Sequence, residues 1–544
     1  MHPFKTDYSF TLIHMEADCT YLSYSSTGRF SKIVTDYISK AEILKPFYKY
    51  DASIQGITKS IEARKQFPHR QILVDELRKQ YNGLEIHSSV AANIEALQHQ
   101  NTFTVTTAHQ PNIFTGPLYF IYKILHAVQL ANELSVSFKD CRFVPVYYMG
   151  SEDADFDELS FINIEGKKYQ WQTKQSGAVG RMKVDKALIS LIDEMHGQLG
   201  VQPYGDELIN IFKKYYTENK TIQEATLELV NDLFGEYGLI VLIPDNANLK
   251  RIFIPVIEKE LTEQFSQKAV EETGRALQEH YKLQATGRDI NLFYLTDDKR
   301  ERIEKNGDEY SVHAADIHFT KDELLARLQA NPECFSPNVI LRGAFQESIL
   351  PNIAFIGGGG EIAYWLQLKN VFDAVSVPYP VLVLRNSFAI LEEKYHTKMQ
   401  GIGLEVQDLF SSEFDLMNKI VLSRTKNKTD LKTEMEKLDA LYQNISAIAA
   451  QTDKTLTGHV EALHTKALHK LEGLEKKMLR AEKRKYETEK ETLQKIMSQL
   501  FPGNSLQERN ENISSLYAHY GRKILNIILK HSKGLKQEFG VINI

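Results

Sequence analysis

The chain has 544 residues, of which 42% are hydrophobic and 25% charged, so it is globular and long enough for two or more domains. Its 65 Lys and Arg residues face 71 Asp and Glu residues, and the net charge of −6 argues against nucleic acid or an anionic membrane as the partner, which leaves small molecules. Because the N-terminus has no sustained apolar segment and no apolar run is long enough to span a bilayer, we expect a cytoplasmic protein.

The first hundred residues are expected to pack as a lead-in on the core, and residues 102–132 then combine a strand, a polar loop and an amphipathic helix. In an open α/β sheet, ligands lie beyond the carboxyl ends of strands, and anions favour helix N-termini. The sequence therefore predicts a ligand site formed by His109, Gln110, Thr115 and the amides around Gly116. An ordinary strand-to-helix turn explains the same residues equally well.

A second apolar run, residues 141–149, has the length of a strand and ends in an acidic loop. This loop carries Ser151, Glu152, Asp153 and Asp155. A carboxylate at a strand end can bind an ammonium group or a metal, or accept a proton. Capping of the next helix by these side chains is an equally good interpretation.

Two insertions are predicted, near residues 163–235 and 251–338, on either side of a buried strand at 238–245. Asp245 at the end of this strand is expected to face the same crevice as the other strand ends. The charged run at 297–300 has the pattern of a solvated turn, and we assign it no role.

Glycines occupy all four positions of 357–360, between a predicted strand and a helix, where backbone amides could approach a phosphate or carboxylate closely. The run matches neither common nucleotide-binding pattern, so a flexible turn is the alternative. Arg385 and Ser387 follow the next predicted strand, and Arg385 and Arg342 suit carboxylates because a guanidinium binds them through two parallel hydrogen bonds. A structural ion pair is the commoner fate of a single arginine.

Strand patterns end near residue 388, and apolar residues then recur at coiled-coil spacing in two helices of unequal length, with a turn at 451–454. The longer helix, residues 456–500, keeps an apolar stripe, which predicts a homodimer. A basic stretch at 470–485 contains Arg480, Lys483 and Arg484, and a solvated helix face is the favoured explanation of this stretch from the sequence alone.

These elements predict an α/β fold: a Rossmann-like, doubly wound core with inserted segments, joined to an antiparallel coiled coil. The predicted domains are a core at 1–387, a coiled coil at 388–510 and a C-terminal helix at 511–544 that docks on the core. The three cysteines are far apart and form no C-x-x-C pair, so we expect neither a disulfide framework nor a cysteine-based zinc site.

Four segments together resemble one known family. They read TAHQPNIFTGPLYFIYK at 107–123, PVYYMGSEDADFDE at 145–158, AFIGGGGEIAYW at 354–365 and MLRAEKRK at 478–485. In this order and spacing they resemble the BshC family, the cysteine ligases of bacillithiol biosynthesis. The resemblance covers nearly the whole chain.

The resemblance implies a core like that of class I aminoacyl-tRNA synthetases and a reaction that joins the carboxyl group of L-cysteine to the amine of glucosaminyl malate. It also implies an adenine nucleotide, ATP or ADP, and a second nucleotide pocket near Arg480, Lys483 and Arg484. Many members of the family read TGQQ where this chain has TAHQ, so the expected role of His109 is hydrogen bonding to phosphate or carboxylate oxygens rather than proton transfer.

The candidate site residues follow from the strand ends and the four segments together, and no metal ligand is among them. The expected catalytic residues are His109, Gln110, Asp153 and Arg385. The expected substrate-binding residues are Thr115, Gly116, Tyr119, Lys123, Ser151, Glu152, Asp155, Arg342, Gln346, Gly357, Gly358, Gly359, Gly360, Glu361, Tyr364, Trp365 and Ser387.

Two other functions fit the sequence. One is a nucleotidyl or other adenylate-forming transferase of the same fold that acts on another acceptor. The other is a coiled-coil scaffold without catalysis, against which the polar residues at the strand ends argue.

Overall fold

The computed structural model describes residues 17–425 and 430–544. These residues divide into two compact units. The sheet unit comprises residues 21–389 and 505–542, and the coiled-coil unit comprises residues 390–504 with 17–20 and 543–544.

The strands of the described residues are β1 Asp18–Leu22, β2 Thr102–His109, β3 Arg142–Met149, β4 Phe161–Ile164, β5 Lys167–Gln170, β6 Ile240–Leu242, β7 Leu292–Leu295, β8 Arg300–Arg302, β9 Glu304–Asn306, β10 Glu309–Val312, β11 Ile317–Thr320, β12 Phe335–Pro337, β13 Asn352–Gly357, β14 Val381–Leu384, β15 Ser387–Leu391 and β16 Phe539–Asn543. The helices are α1 Lys32–Ile38, α2 Ile54–Arg64, α3 Arg70–Gln80, α4 Ser88–Ala96, α5 Tyr119–Ser137, α6 Phe156–Leu159, α7 Lys186–Leu199, α8 Gly205–Tyr215, α9 Ile222–Phe234, α10 Ala247–Glu263, α11 Phe265–Gln278, α12 Lys321–Ala330, α13 Val339–Ile349, α14 Gly359–Trp365, α15 Lys369–Ala374, α16 Glu393–Gly401, α17 Glu413–Arg424, α18 Lys432–Thr452, α19 Leu456–Lys483, α20 Glu487–Leu500, α21 Gln507–Asn510, α22 Ser514–Tyr520 and α23 Lys523–His531.

The centre of the sheet unit is a five-stranded sheet in the order β14–β13–β2–β3–β6. Every neighbouring pair is parallel, and Thr107 of β2 lies between Tyr147 of β3 and Ile356 of β13. All eight residues of β2 are buried, as expected for a parallel strand that is covered on both faces. The predicted α/β, Rossmann-like fold is confirmed.

The main core joins β2, β3, β13 and β14 to α2 and α5. Its buried residues are Ile57, Ile61, Phe103, Val105, Ala127, Leu130, Ala131, Leu134, Phe143, Ile353, Ala354, Ile356, Val381 and Val383. The apolar residues of α5 recur on the side that meets β2 and β3, and their burial fixes this helix directly behind the strand ends.

Three small sheets lie in the inserted segments: the hairpin of β4 and β5, the sheet β12–β7–β8 and the sheet β11–β10–β9. A further three-stranded sheet has the order β1–β16–β15. The charged run at 297–300 forms the turn between β7 and β8, as expected, and its last residue, Arg300, is the first residue of β8.

The C-terminal segment of the sheet unit forms two short helices where one helix was predicted. α22 and α23 are separated at Gly521, whose φ of +60° is typical of glycine. α23 packs against α5, and the ring nitrogen Nε2 of His126 lies 2.7 Å from the carbonyl oxygen of Gly534.

In the coiled-coil unit, α18 and α19 run antiparallel, since Asp439 contacts His464 at 2.6 Å while Leu431 lies beside Glu475. The predicted helix at 456–500 is divided into α19 and α20. Neither glycine nor proline stands at the break, so the sequence gives no local signal for it. No helix in the described part of the chain is both long and apolar enough to cross a membrane.

Candidate active site

A cavity of about 820 Å³ lies at the carboxyl edge of the parallel sheet. Four strands each contribute the residue that directly follows them to its lining: Gln110 after β2, Gly150 after β3, Gly358 after β13 and Arg385 after β14. The predicted site residues that line the cavity are His109, Gln110, Tyr119, Lys123, Ser151, Glu152, Asp153, Arg342, Gly358, Gly359, Gly360, Glu361, Tyr364 and Arg385.

Other predicted residues are outside this lining. They are Thr115, Gly116, Asp155, Gln346, Gly357, Trp365 and Ser387. Trp365 stacks on Phe355 in the core, with ring centroids 4.3 Å apart. Asp245, which we expected at the crevice, instead forms a two-point ion pair with Arg181, with both N–O distances 2.7 Å.

The turn between β2 and α5 does not offer the free amides that were predicted around Gly116. The amide of Gly116 donates to the carbonyl of Ile113 at 3.0 Å, and that of Leu118 donates to the carbonyl of Glu511 at 2.8 Å. The amide of Phe114 donates to the hydroxyl of Tyr216 at 3.0 Å. Because these three donors already have protein partners, they are not free to bind an anion.

His109 lies at the end of β2 with its ring buried between Tyr119 and Phe120, whose centroids are 5.3 and 5.5 Å away. Burial, and then the charges of Lys123 and Arg385, hold the pKa of His109 well below its usual range. Its Nε2 atom has no hydrogen-bond partner among the described residues. His109 is therefore neutral near pH 7, and it lines the cavity.

The acidic side chains of the loop after β3 have different contacts. The side-chain amide of Gln110 donates to Asp153 Oδ2 at 3.2 Å, so these two predicted residues meet across the strand ends. Asp155 instead accepts from the amide of Glu158 at 3.3 Å and caps α6. The capping interpretation is correct for Asp155, whereas Asp153 lines the cavity.

Glu152 is held by buried partners. Its carboxylate forms an ion pair with Lys250, and Ser336 Oγ donates to its Oε2 at 3.0 Å. Arg300 lies beside this group, because its Nε donates to Ser336 Oγ at 3.2 Å and its guanidinium lies 4.0 Å from the centroid of Phe293. Arg300 therefore lines the cavity, although it belongs to the charged run at 297–300 that we expected to be a solvated turn.

In the glycine run at 357–360, one backbone amide is occupied by a side chain of the helix that follows, α14. The amide of Gly358 donates to Glu361 Oε2 at 2.8 Å, and this carboxylate also forms an ion pair with buried Lys123. Lys123 in turn donates to the carbonyl of Ala108 at 2.9 Å. The amide of Gly358 is therefore not free to bind an anion, because a carboxylate of the protein occupies it. Gly358, Gly359 and Gly360 nevertheless line the cavity.

The two predicted carboxylate-binding arginines have protein partners. Arg342 donates to the hydroxyl of Tyr364 at 2.6 Å. Arg385 is buried and forms two parallel bonds with the fully buried carboxylate of Glu508, at 2.6 and 2.9 Å, and it also donates to Ser387 Oγ at 3.0 Å. Arg385 thus forms a structural ion pair, and most of its N–H groups already donate to the protein.

Sequence reasoning missed three arginines that line the cavity: Arg288, Arg302 and Arg509. All three are exposed, and none has a side-chain ion pair or hydrogen bond to a described residue. They come from a loop, a short strand and a short helix far apart in the chain, and no local pattern distinguishes them from ordinary surface arginines.

Seven cationic side chains line the cavity, against four carboxylates. The cations are Lys123, Arg288, Arg300, Arg302, Arg342, Arg385 and Arg509, and the carboxylates are Glu152, Asp153, Glu158 and Glu361. The excess of positive charge in a chain of net negative charge suits an anionic ligand. Within the described ranges, no group of three or more His, Cys, Asp or Glu side chains could hold a metal ion.

The predicted second nucleotide pocket lies on α19 and just beyond it, in the coiled-coil unit. Arg480 and Arg484 are exposed, and Lys483 Nζ lies 3.9 Å from the ring centroid of Phe414. Burial lowers the pKa of Lys483.

Two family models match the chain. One, described as "Bacillithiol biosynthesis BshC, N-terminal Rossmann-like domain", matches residues 15–386, and the other, the C-terminal coiled-coil domain of BshC, matches residues 388–544. A protein of Flavobacterium johnsoniae named "Putative cysteine ligase BshC" is 41% identical and covers 97% of this chain and 100% of its own length. Relatives of the same name from Flavobacterium psychrophilum and Christiangramia forsetii are 40% and 38% identical, and each match covers 97% of this chain and 99% of the relative. With both models and these full-length relatives in agreement, the chain belongs to the BshC family of bacillithiol biosynthesis.

Proposed function

We propose that the protein is a cysteine ligase that joins the carboxyl group of L-cysteine to the amine of glucosaminyl malate and so forms bacillithiol. The names of the relatives support the reaction. The observation that carries the location is the cavity at the carboxyl edge of the sheet, where polar residues from separate strand ends meet.

The charges of the cavity support the choice of substrates. Glucosaminyl malate carries two carboxylates and cysteine carries one. Exposed Arg288, Arg302 and Arg509 offer guanidinium groups that no described residue occupies, and a guanidinium binds a carboxylate through two parallel hydrogen bonds.

The reaction forms a C–N bond, releases one carboxyl oxygen with its activating group and removes a proton from the attacking amine. In the proposal, Asp153 binds the amine and accepts that proton, while Gln110 fixes the carboxylate of Asp153 by the 3.2 Å hydrogen bond. Neutral His109, which lines the cavity, donates a hydrogen bond to a substrate oxygen.

An adenine nucleotide, ATP or ADP, is the proposed further ligand, and it supplies the group that activates the carboxylate. The exposed arginines of the cavity fit its phosphates better than the glycine run, because Glu361 already occupies the amide of Gly358. The basic stretch with Arg480, Lys483 and Arg484 is the proposed second nucleotide pocket, since two of its guanidinium groups are exposed.

The test is complementation of a strain that lacks its own ligase, with bacillithiol measured by mass spectrometry. We expect Gln110→Ala and Asp153→Ala each to lower cysteine addition tenfold or more, which corresponds to about 1.4 kcal/mol of transition-state stabilisation. Arg385 is left out because its removal would strand the buried carboxylate of Glu508.

The matched controls are Gln98→Ala and Asp297→Ala, which change exposed side chains outside the cavity. Both should restore normal bacillithiol. If Gln110→Ala and Asp153→Ala do the same at equal protein levels, the cavity is not the active site. A protein that binds a nucleotide but makes no bacillithiol would favour the adenylate-forming transferase with another acceptor.

A further inference from the structure

The short segment at 507–512 contacts the cavity-lining residue Arg385 and the turn between β2 and α5, and its own Arg509 lines the cavity. It contains α21 and the two residues after it, Glu511 and Asn512. It lies more than a hundred residues beyond β14 in the sequence, and nothing in the sequence marked it as part of the site.

Glu508 is the first contact. Its carboxylate is fully buried and accepts two hydrogen bonds from Arg385, at 2.6 and 2.9 Å. Two parallel bonds fix both the position and the plane of the guanidinium. Arg385 thereby stays near Tyr119, with its guanidinium carbon 5.2 Å from the centre of that ring.

Asn512 is the second contact. Its side-chain amide donates to the carbonyl of Phe114 at 2.8 Å and to that of Gly116. Phe114 and Thr115 have positive φ values of 49° and 72°, a conformation that surrounding contacts must hold in residues other than glycine. Asn512 therefore stabilises the turn that connects β2 to α5.

Arg509 is the residue of this segment that lines the cavity itself. Its side chain lines the cavity, is exposed and has no ion pair or hydrogen bond with the described residues. Its backbone is fixed on both sides, by Glu508 in its ion pair and by the amide of Asn512, which donates to the carbonyl of Asn163 at 2.9 Å. An unpaired guanidinium on a fixed backbone is suited to bind a carboxylate or phosphate.

The geometry points to residues 507–512 as part of the active site. In this assignment Arg509 binds an anionic group of a substrate, and Glu508 and Asn512 are positioning residues that hold Arg385 and the turn after β2. The assignment rests on the proposed function for the identity of the ligands. The anionic group belongs either to the malate part of the acceptor or to the phosphates of the nucleotide.

The test of Arg509 is direct binding by calorimetry, with glucosaminyl malate and ATP titrated separately into the full-length protein. We expect Arg509→Gln to weaken one of the two ligands tenfold or more and Arg509→Lys to restore part of that loss, because lysine keeps the charge but not the two-point geometry. Loss confined to glucosaminyl malate identifies a carboxylate, and loss confined to ATP identifies a phosphate.

The control is Lys523→Gln, which removes an exposed positive charge from the same C-terminal region and should leave both affinities unchanged. Unchanged affinity of Arg509→Gln for both ligands overturns the assignment of Arg509. Because binding is measured without turnover, a wild-type protein that binds glucosaminyl malate but forms no bacillithiol contradicts the proposed function alone.

The positioning roles are tested by Asn512→Asp, which keeps the size of the side chain but removes its donor, and by Glu508→Gln, which keeps the shape but removes the charge. Each should lower kcat at least threefold more than it raises KM, since the substrate-binding arginines remain. Wild-type kcat in a folded form of either variant overturns the positioning role of that residue.

Discussion

His126 is a buried histidine whose two hydrogen bonds fix its charge state. Its Nδ1 accepts from the amide of Asn386 at 3.0 Å, and its Nε2 donates to the carbonyl of Gly534 at 2.7 Å. Both ring nitrogens are satisfied in the neutral form. Burial accordingly lowers the pKa of His126 from 6.5 to about 4.

This shift predicts a loss of stability in mild acid. Since the folded pKa is the lower one, the unfolded chain takes up the proton first as pH falls. The stabilising contribution of His126 is complete above pH 6.5 and decreases down to about pH 4, by up to about 3 kcal/mol. Thermal unfolding measured across this range should show a shallower pH dependence for His126→Gln than for the wild type.

The matched variant is His99→Gln, which changes an exposed histidine and should keep the pH dependence of the wild type. Equal slopes for His126→Gln and the wild type would mean that the histidine is not held neutral in the folded protein.

Single residues also mark the limit of what the sequence could predict. His109, Gln110 and Asp153 could be placed at one edge because each lies at the end of a buried strand or shortly after it. The partner of Arg385 could not be predicted, because Glu508 lies 123 residues away and a local window carries no signal for such a pair. Arg300 was misplaced because its neighbours are charged, whereas contacts with Phe293 and Ser336 hold it at the cavity.

Among the elements, the turn between β2 and α5 depends most on one residue type. Gly116 has φ 63° and ψ −149°, a region that is almost restricted to glycine, and a Cβ atom there would lie 2.7 Å from Cβ of Asn112. We expect Gly116→Ala to lower the free energy of unfolding by about 1–3 kcal/mol or more, measured by urea denaturation of the full chain.

A second glycine provides the comparison. Gly197 lies in α7 with open space around the position of a Cβ atom, so Gly197→Ala should raise stability by up to about 1 kcal/mol. If Gly116→Ala were as stable as the wild type, the turn could relax without its left-handed backbone and would not be a fixed part of the site.

A helix or strand could be predicted from the sequence where the pattern of its own apolar residues defines it. The apolar runs of β3 and β13 and the amphipathic stretch of α5 gave their type and order. The break between α19 and α20 was not predictable, because helix-forming residues continue through it. The occupied amides near Gly116 were not predictable for another reason: those of Phe114 and Leu118 donate to groups from the distant residues Tyr216 and Glu511.

On the scale of the whole molecule, the coiled-coil unit has large apolar side chains that are exposed to solvent. Leu463 and Leu474 of α19 are 43% and 48% exposed, and Leu441 and Ile448 of α18 are 53% and 57% exposed. Exposed apolar residues of this kind are typical of an interaction surface, and we propose a second copy of the chain as the partner.

We expect Leu463→Glu combined with Leu474→Glu to convert a dimer into a monomer, as measured by light scattering. Charged groups in a symmetric apolar interface would be buried without partners. The circular dichroism of the protein should change little, because both positions are exposed within one chain. Thr465→Glu, at an exposed polar position of the same helix, should remain dimeric, and a dimer in the double variant would rule out this surface as the interface.

The ion pair between Arg385 and Glu508 has a consequence for the order in which the protein is made. A ribosome adds Arg385 long before it adds Glu508, and at about 5–20 residues per second the 123 intervening steps take on the order of ten seconds. During this time the growing chain holds a guanidinium whose buried partner does not yet exist. The cavity wall is complete only when the coiled coil and the segment after it have been translated. A chain that ends before Glu508 has all five strands of the parallel sheet but lacks Glu508 and Arg509 at the cavity.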